Sequence, residues 1–229
     1  MPTAVTPPTP PALRPICVDL DGTLIQTDIL VESLLLACRS WTTLRSIPRL
    51  LVRGKAAFKA SLAESCAPPC ALLPYDTVLI DFLKQRKATG IKLLLVTASN
   101  SSIAVRINEH LDLLFDDVLA SDERHNLRGD NKATLLVERF GERGFTYIGN
   151  DAADLRVWCR AGGAMIVGAS ARVIRRARKT ASVEHVFDHR GLNRPPWMLL
   201  SAGLLTLALS CATYAFERAI SSLAGKSSH

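Results

Sequence analysis

The stretch ICVDLDGTLI, residues Ile16 to Ile25, decides the fold of this chain. An apolar run ends there in two carboxylates, Asp19 and Asp21, and Gly22 and Thr23 follow at once. A strand that stops for structural reasons needs a turn after it, but it does not need a pair of acids at its tip. The acids therefore indicate either chemistry at the end of a strand or, as the structural alternative, capping of the next segment.

Short apolar strands alternate with amphipathic helices along most of the chain. Runs such as KLLLVT and AMIVG lack polar alternation, as is typical of central strands in a parallel sheet. The alternation favours an α/β fold with a doubly wound parallel sheet and helices on both faces. The predicted strands are Ile16–Leu20, Lys92–Thr97, Asp117–Ala120, Phe145–Gly149, Ala164–Gly168 and Glu184–Phe187. The predicted helices are Thr77–Ala88, Ser102–Leu111, Lys132–Phe140, Asp151–Cys159 and Ala171–Thr180.

One segment, residues 28–74, does not join this alternation. It reads as two or three helices, DILVESLLLACRS, TTLRSIPRLLVRG and KAAFKASLAESC, placed between the first strand and the next helix–strand unit. This position predicts a small helical insertion beside the opening of the sheet. Residues 1–14, MPTAVTPPTPPALR, are too rich in proline to pack and are expected to form a disordered arm.

Near the C-terminus lies WMLLSAGLLTLALSCATYAF, residues 197–216, a stretch of twenty residues without a charge. As a helix it would be about 30 Å long, which matches the hydrocarbon core of a bilayer. We expect a single transmembrane helix there, followed by a short polar tail at 217–229. Basic residues are more frequent before the segment than after it, so the positive-inside rule places the N-terminal domain in the cytoplasm. A buried helix of the globular domain is the alternative.

The formal net charge of +7 is concentrated in two clusters, Arg39 to Lys59 and Arg172 to Lys179. Aromatic residues barely interleave with these clusters and no nucleic-acid-binding motif is present, so we expect no nucleic-acid partner. Solvated helix faces and attraction to an anionic membrane surface are the two interpretations that remain. The six cysteines are scattered, and without a secretory leader a reducing cytosol is expected.

Further polar side chains follow the other predicted strands. Thr97 ends a central strand, Lys132 begins a helix after a loop, and Asn150, Asp151 and Asp154 follow the strand FTYIG. Ligands bind beyond the carboxyl ends of the strands in such sheets, so these groups are expected in one crevice with the two acids of the first strand. Together they can hold Mg²⁺ and a phosphate and present a carboxylate nucleophile.

The ordered set of DLDGTL, a strand-end threonine, a downstream lysine and the acidic loop in FTYIGNDAADL resembles the four motifs of the haloacid dehalogenase superfamily of phosphohydrolases. The resemblance implies a Rossmann-like core domain over residues 15–190, with 28–74 as a helical cap of the phosphoserine-phosphatase-like branch. Longer stretches, such as CVDLDGTLIQTDILVESLL and RGKAAFKASLAE, resemble the N-terminal domain fused to some bacterial membrane aromatic prenyltransferases. Only one apolar segment follows here, so prenyl transfer itself is not expected.

The resemblance implies a role for each matched residue. Asp19 would attack phosphorus and form an aspartyl-phosphate, while Asp21 would protonate the leaving oxygen and later activate water. Thr97 would donate a hydrogen bond to the phosphoryl group, and Lys132 would neutralise its charge. The implied cofactor is Mg²⁺, held by a subset of Asp19, Asp21 with its backbone carbonyl, Asn150, Asp151 and Asp154.

The fourth motif departs from the family pattern at Asn150, where the family usually has an acid directly after the glycine. Loss of one anionic ligand lowers the expected affinity for Mg²⁺. Outside the motifs, Asp28, Glu32 and Ser99 are candidates for contact with substrate. The structural alternatives are that the two acids stabilise the start of a helix and that Ser99 and Asn100 cap the helix after them.

Three functions are compatible with these observations. The first is an Mg²⁺-dependent phosphomonoester hydrolase at the cytoplasmic membrane face, acting through an aspartyl-phosphate on a small-molecule, lipid-linked or prenyl-linked phosphate. The second is a catalytically weak module that partners a membrane prenyltransferase. The third is a soluble phosphatase for a small metabolite, with the C-terminal helix as part of its core.

Overall fold

The computed structural model describes residues 13–37, 66–121 and 127–187. All of them lie in the first of two units of the chain, Met1–Asp188, and the second unit, His189–His229, lies outside the described residues. The described residues form one six-stranded parallel sheet. Its strands are β1 Ile16–Val18, β2 Leu93–Asn100, β3 Asp117–Ser121, β4 Thr146–Gly149, β5 Gly163–Val167 and β6 Val183–Phe187.

Helices connect the strands, as parallel pairing requires. They are α1 Ile29–Ala37, α2 Thr77–Ala88, α3 Ser101–His110, α4 Asp130–Phe140, α5 Leu155–Trp158 and α6 Ala171–Thr180. Two short 3₁₀ turns, Cys70–Leu72 and Ala152–Asp154, precede α2 and α5. Side chains supply several helix starts: Asp76 accepts a hydrogen bond from the backbone of the first turn of α2, and Ser170 does the same for α6.

The strand order β3-β2-β1-β4-β5-β6 sets the position of the crevice. From β1 the chain first builds outward through β2 and β3, and then returns to the other side of β1 with β4. Val18 of β1 lies level with Leu95 of β2 and Ile148 of β4, and the backbone N–H of Asp19 donates to the Ile148 carbonyl at 3.0 Å. The reversal of order at β1 is the switch point where such sheets bind ligands.

Each face of the sheet is covered by its own apolar layer. Alternate residues of β1 point to opposite faces, so Ile16 and Val18 belong to the layer under α2 and α3, while Cys17 belongs to the other. That second layer includes Leu136 of α4 and the fully buried Trp158 of α5. A sheet packed on both faces explains why its strands are apolar without alternation.

The predicted α/β architecture is confirmed, and the six predicted strands and the five helices predicted between residues 77 and 180 are present, most of them with small shifts at their ends. Two of the differences have a clear local reason. β1 ends at Val18 instead of Leu20, because the chain turns through Gly22, which has a φ of +72°. The helix expected over 151–159 starts as a 3₁₀ turn, in which Asp151 and Asp154 form a reciprocal capping box.

Several predicted segments fall outside the described residues. The structure describes α1 and residues 66–74 of the predicted cap at 28–74, but not the segment between them. The transmembrane helix at 197–216, the tail at 217–229 and most of the arm at 1–14 also lie outside. Among the helices that the structure describes, none combines the length and apolarity needed to cross a membrane. The transmembrane helix and the domain boundaries remain predictions.

Candidate active site

The predicted catalytic residues lie at the carboxyl edge of the central strands. Asp19 follows β1 directly, Thr97 lies in β2, and Lys132 occupies the first turn of α4. The Lys132 Nζ atom lies 2.7 Å from Oδ1 of Asp19, and their side chains are only 5% and 13% exposed. The structure therefore joins two residues that are 113 positions apart in the chain into one ion pair.

A buried tyrosine connects this ion pair to the acidic loop. Lys132 Nζ donates a second hydrogen bond to the hydroxyl oxygen of Tyr147 at 2.8 Å, and that hydroxyl lies 3.0 Å from Oδ1 of Asp154. An ammonium group can only donate, so the tyrosine proton must point to Asp154. Burial raises the pKa of Tyr147, which keeps that proton on the hydroxyl.

Asp154 uses both of its oxygens inside the protein. Besides the bond from Tyr147, its Oδ2 accepts the backbone N–H groups of Asn150 and Asp151, each at 2.9 Å. Asp151 in turn accepts a bond from the backbone of Ala152. The acidic loop is thus held by its own carboxylates, and Asp154 fixes Tyr147 at the same time.

The second acid of the first motif is held by two neutral donors. The backbone N–H of Ile29, the first residue of α1, donates to Oδ1 of Asp21 at 2.8 Å, and the Ser99 hydroxyl donates to Oδ2 at 2.7 Å. Ser99 was predicted as a substrate contact or a helix cap, and the structure places its hydroxyl on the acid. Asn100 caps α3 instead, accepting from Ser102 N at 2.8 Å. Thr97 is fully buried, and its Oγ1 accepts from Ser99 N at 2.9 Å.

The remaining two candidates, Asp28 and Glu32, make local contacts at the start of α1. Oδ1 of Asp28 accepts from the backbone N–H of Leu30 at 2.8 Å and of Val31 at 3.3 Å. Glu32 accepts from the hydroxyl of Thr27 at 2.8 Å. These contacts match the structural alternative for both acids, and a role in substrate binding stays a prediction.

Gly22 brings the turn of the first motif against the acidic loop. A Cβ atom on Gly22 would lie 2.1 Å from Nδ2 of Asn150, so only glycine leaves room for this approach. Its φ of +72° is also a conformation that other residues rarely adopt. The Asn150 amide consequently lies beside the turn that carries Asp19 and Asp21.

Burial dominates the electrostatics of the two acids. It raises the pKa of Asp19 from 3.8 to about 7, a shift that the charge of Lys132 opposes and the charge of Asp154 reinforces. It also raises the pKa of Asp21, with a further contribution from the charge of Asp28, against the hydrogen bonds from Ile29 and Ser99. Two partly buried acids lie near a single ammonium, which bonds only Asp19, so a bound cation would supply favourable positive charge.

The donors at this edge suit Mg²⁺ through mixed oxygen ligands. Among the residues that the structure describes, no three acidic, histidine or cysteine side chains converge on a single point. Asp154 uses both of its oxygens within the loop, which leaves Asp19, the Asp21 carbonyl, the Asn150 amide oxygen and the exposed Asp151 as candidate donors. Mg²⁺ is commonly held by one or two carboxylates, with water and substrate oxygens completing the shell. The residues therefore fit the ion, and which of them bind it stays a prediction.

Fold and site together define a doubly wound α/β enzyme built around an aspartate–lysine pair at the tip of its first strand. The chain belongs to the haloacid dehalogenase-like hydrolase family, whose model matches residues 16–159. It is therefore a hydrolase of the haloacid dehalogenase type, and the family resemblance read from DLDGTL and its partner motifs is confirmed. The finer resemblance to domains fused to prenyltransferases stays a prediction.

A curated relative and several solved structures are similar to this chain. The chain is 39% identical over 156 residues to the uncharacterized protein y4nM of Sinorhizobium fredii, a match that covers 67% of the chain and 30% of y4nM. The chain thus spans less than a third of that relative's length. A family hydrolase from Salmonella enterica serovar Typhi, t0658, has a TM-score of 0.55 at 17% identity, covering 79% of this chain and 69% of the other.

Phosphoserine phosphatase is also among the similar structures. Its substrate-bound complex has a TM-score of 0.53 at 14% identity and covers 79% of this chain and 95% of the other. A phospho-aspartyl intermediate analogue of phosphoserine phosphatase has a TM-score of 0.51 at 13% identity, over 76% of this chain and 93% of the other. At such low identity these likenesses show the fold alone.

Sequence reasoning missed Tyr147 as part of the site. Its signal was available, because a tyrosine in the middle of a buried apolar strand needs a partner for its hydroxyl. The strand YIG leads straight into the acidic loop, so Asp154 was within reach of that hydroxyl.

Replacing Tyr147 by phenylalanine tests the hydrogen-bonded link. We expect Tyr147→Phe to lower kcat for a chromogenic phosphomonoester by about tenfold with little change in KM, because Lys132 loses one of its two partners. Tyr75→Phe is the matched control, since the buried Tyr75 hydroxyl has no hydrogen-bond partner among the described residues. Equal kcat values for the two variants would show that the Tyr147 hydroxyl does not position Lys132.

A second substitution tests the approach of Gly22 to Asn150. We expect Gly22→Ala to abolish most activity and to lower the free energy of unfolding by more than Gly90→Ala does. Gly90 also has a positive φ, +82°, but a Cβ there meets nothing within 4 Å, so its variant reports the backbone strain alone, about 1 kcal/mol. Chemical denaturation and an activity assay measure both quantities. Similar losses in the two variants would mean that the Asn150 contact has no effect.

Proposed function

We propose that the chain hydrolyses a phosphomonoester through a covalent aspartyl-phosphate on Asp19. The contact that carries the proposal is the 2.7 Å ion pair between Asp19 Oδ1 and Lys132. Lys132 occupies one oxygen of the carboxylate, and among the described residues the other oxygen accepts no hydrogen bond. A phosphoryl group that bonds to Oδ2 would therefore lie beside the lysine ammonium, which stabilises the negative charge of the transition state.

In the first half of the reaction, Oδ2 of Asp19 attacks phosphorus and the bond from phosphorus to the leaving oxygen breaks. Asp21 gives its proton to that oxygen, so the product leaves as an alcohol. The raised pKa of Asp21 supports this role, because the acid holds its proton at a higher pH than an exposed aspartate. Lys132 and the Thr97 hydroxyl interact with the phosphoryl oxygens throughout.

In the second half, Asp21 accepts a proton from water as the water oxygen attacks phosphorus. The bond from phosphorus to Asp19 breaks, inorganic phosphate leaves, and the free carboxylate returns. Bound Mg²⁺, held by Asp19, the Asp21 carbonyl and Asn150, would offset the charge of the phosphoryl oxygens during both halves. The phosphoserine phosphatase with a phospho-aspartyl analogue shares the fold and supports this route.

We further propose that the enzyme acts at the cytoplasmic face of a membrane on a lipid-linked or prenyl-linked phosphate. The support is the charge-free segment at 197–216, which is long enough to span a bilayer as a helix. A soluble phosphatase for a small metabolite is the alternative. Membrane fractionation of the full chain separates the two, because recovery in the soluble fraction would contradict the membrane location.

A second candidate function is a catalytically weak module that partners a larger membrane protein, such as a prenyltransferase. One observation favours it: Asn150 stands where the family usually has an anionic ligand. Co-purification of a membrane partner with an inactive full chain would support this candidate over the hydrolase.

Substitution of the nucleophile tests the main proposal. We expect Asp19→Asn to reduce phosphate release by about three orders of magnitude, because the amide cannot attack phosphorus. Omission of Mg²⁺ with EDTA present should remove activity from the parent chain to a similar extent. Asp81→Asn is the control, since Asp81 is an exposed acid on α2. Phosphate release that is equal in the parent chain and Asp19→Asn would overturn the proposal.

Asn150 stands where the family usually has an acid, and this difference leads to a separate prediction. We expect Asn150→Asp, which is almost isosteric, to lower the Mg²⁺ concentration for half-maximal activity by about tenfold, because an anionic oxygen binds the ion more strongly than an amide does. Titration of phosphatase activity with Mg²⁺ measures this, with Asn131→Asp on the exposed side of α4 as a control for added charge. An unchanged Mg²⁺ requirement would place residue 150 outside the metal shell.

A further inference from the structure

Every charged side chain on the outer face of helix α6 is basic. Its sequence, ARVIRRARKT, contains no acid, and five exposed cations alternate with residues that pack on the sheet. At about 100° per residue, the cations cover an arc of about 160°. Val173 and Ala177 lie on the opposite, buried side. The exposed cations are Arg172, Arg175, Arg176, Arg178 and Lys179.

These five side chains form no ion pair with any residue that the structure describes. Several other surface arginines have acidic partners: Arg139 contacts Asp117 and Arg156 contacts Asp130. The acid next to α6 in the sheet, Glu184, pairs with Arg14 at 2.7 Å. The charge of α6 is therefore uncompensated within the described domain.

Like charges on α6 are also placed where they repel one another. Arg172 and Arg176 are four residues apart, as are Arg175 and Lys179, and such neighbours on one helix face destabilise the helix. Arg172 lies in the first turn, where the helix dipole disfavours a cation. An external surface of negative charge would relieve both effects.

We infer that α6 binds the anionic headgroups of a lipid bilayer. A bilayer offers many negative charges in one plane, and each basic residue near it adds to the attraction. A nucleic acid is disfavoured because α6 has no aromatic residue on which a base could stack. By sequence, only ten positions separate Phe187, the end of β6, from Trp197, the start of the charge-free segment, a span of about 36 Å at most.

The binding does not depend on the proposed phosphatase activity. It concerns a helix on the layer opposite α2 and α3, so exposed cations of that other layer provide a matched control. Lys84, Lys92 and Arg106 are exposed and form no ion pair among the described residues. Converting three cations to glutamine in either layer changes the net charge equally.

The test is flotation of the full chain with vesicles of phosphatidylcholine alone or mixed with phosphatidylglycerol. The measured quantity is the ratio of protein bound to anionic over neutral vesicles, so the contribution of the apolar segment cancels. We expect a ratio well above one that falls at high salt. Arg172→Gln, Arg175→Gln and Arg176→Gln combined should lower it by about tenfold or more, and the control triple variant by less than about twofold.

Three results would overturn the inference. The first is a ratio of one for the parent chain, and the second is an equal loss in both triple variants, which would indicate net charge alone. The third is arginine-dependent binding of a single-stranded RNA in place of the vesicles. Thermal unfolding of each variant checks that the fold is retained, and phosphatase activity is assayed separately, so failure of either proposal leaves the other intact.

Discussion

The contact between the Lys132 ammonium and the Asp19 carboxylate is the interaction on which the rest of the site depends. A carboxylate at 13% exposure needs a positive partner, or it takes up a proton and ceases to be a nucleophile. The sheet order supplies the geometry, because it puts β4 and the start of α4 beside the end of β1. The Tyr147 hydroxyl accepts a second hydrogen bond from the Lys132 ammonium, which fixes the position of the ammonium beside one oxygen of Asp19.

The acids of the site fall into two groups: those proposed to take part in the reaction and those that hold the loop in place. Asp154 is the most connected of them, since a single side chain joins two backbone N–H groups of the loop to the Tyr147 hydroxyl. A carboxylate that accepts three hydrogen bonds has few lone pairs left for a cation. The group of the acidic loop that lies against the turn at Gly22 is the Asn150 amide.

Much of the fold could be predicted from the sequence. Buried parallel strands are apolar along their whole length, and several of the helices between them begin with a residue whose side chain caps the helix. The association of Asp19 with Lys132 was also predictable, since both follow strands that end at one edge. The sequence indicated that the buried Tyr147 hydroxyl needs a partner, but the particular contacts of Tyr147, Ser99 and Asp154 depend on side-chain directions that spacing does not encode. The shortening of β1 was missed for a different reason, because it depends on the backbone turn at Gly22. The predicted membrane segment and most of the cap lie outside the described residues.

The hydrogen bond from the backbone of Ile29 to Asp21 ties the first helix of the predicted cap to the residue proposed to protonate the leaving group. That bond lowers the pKa of Asp21 against the effect of burial. A displacement of α1 that broke the bond would strengthen the hold of Asp21 on its proton, and a return of α1 would weaken it. In the proposed mechanism, the position of α1 would therefore affect how readily Asp21 gives up its proton.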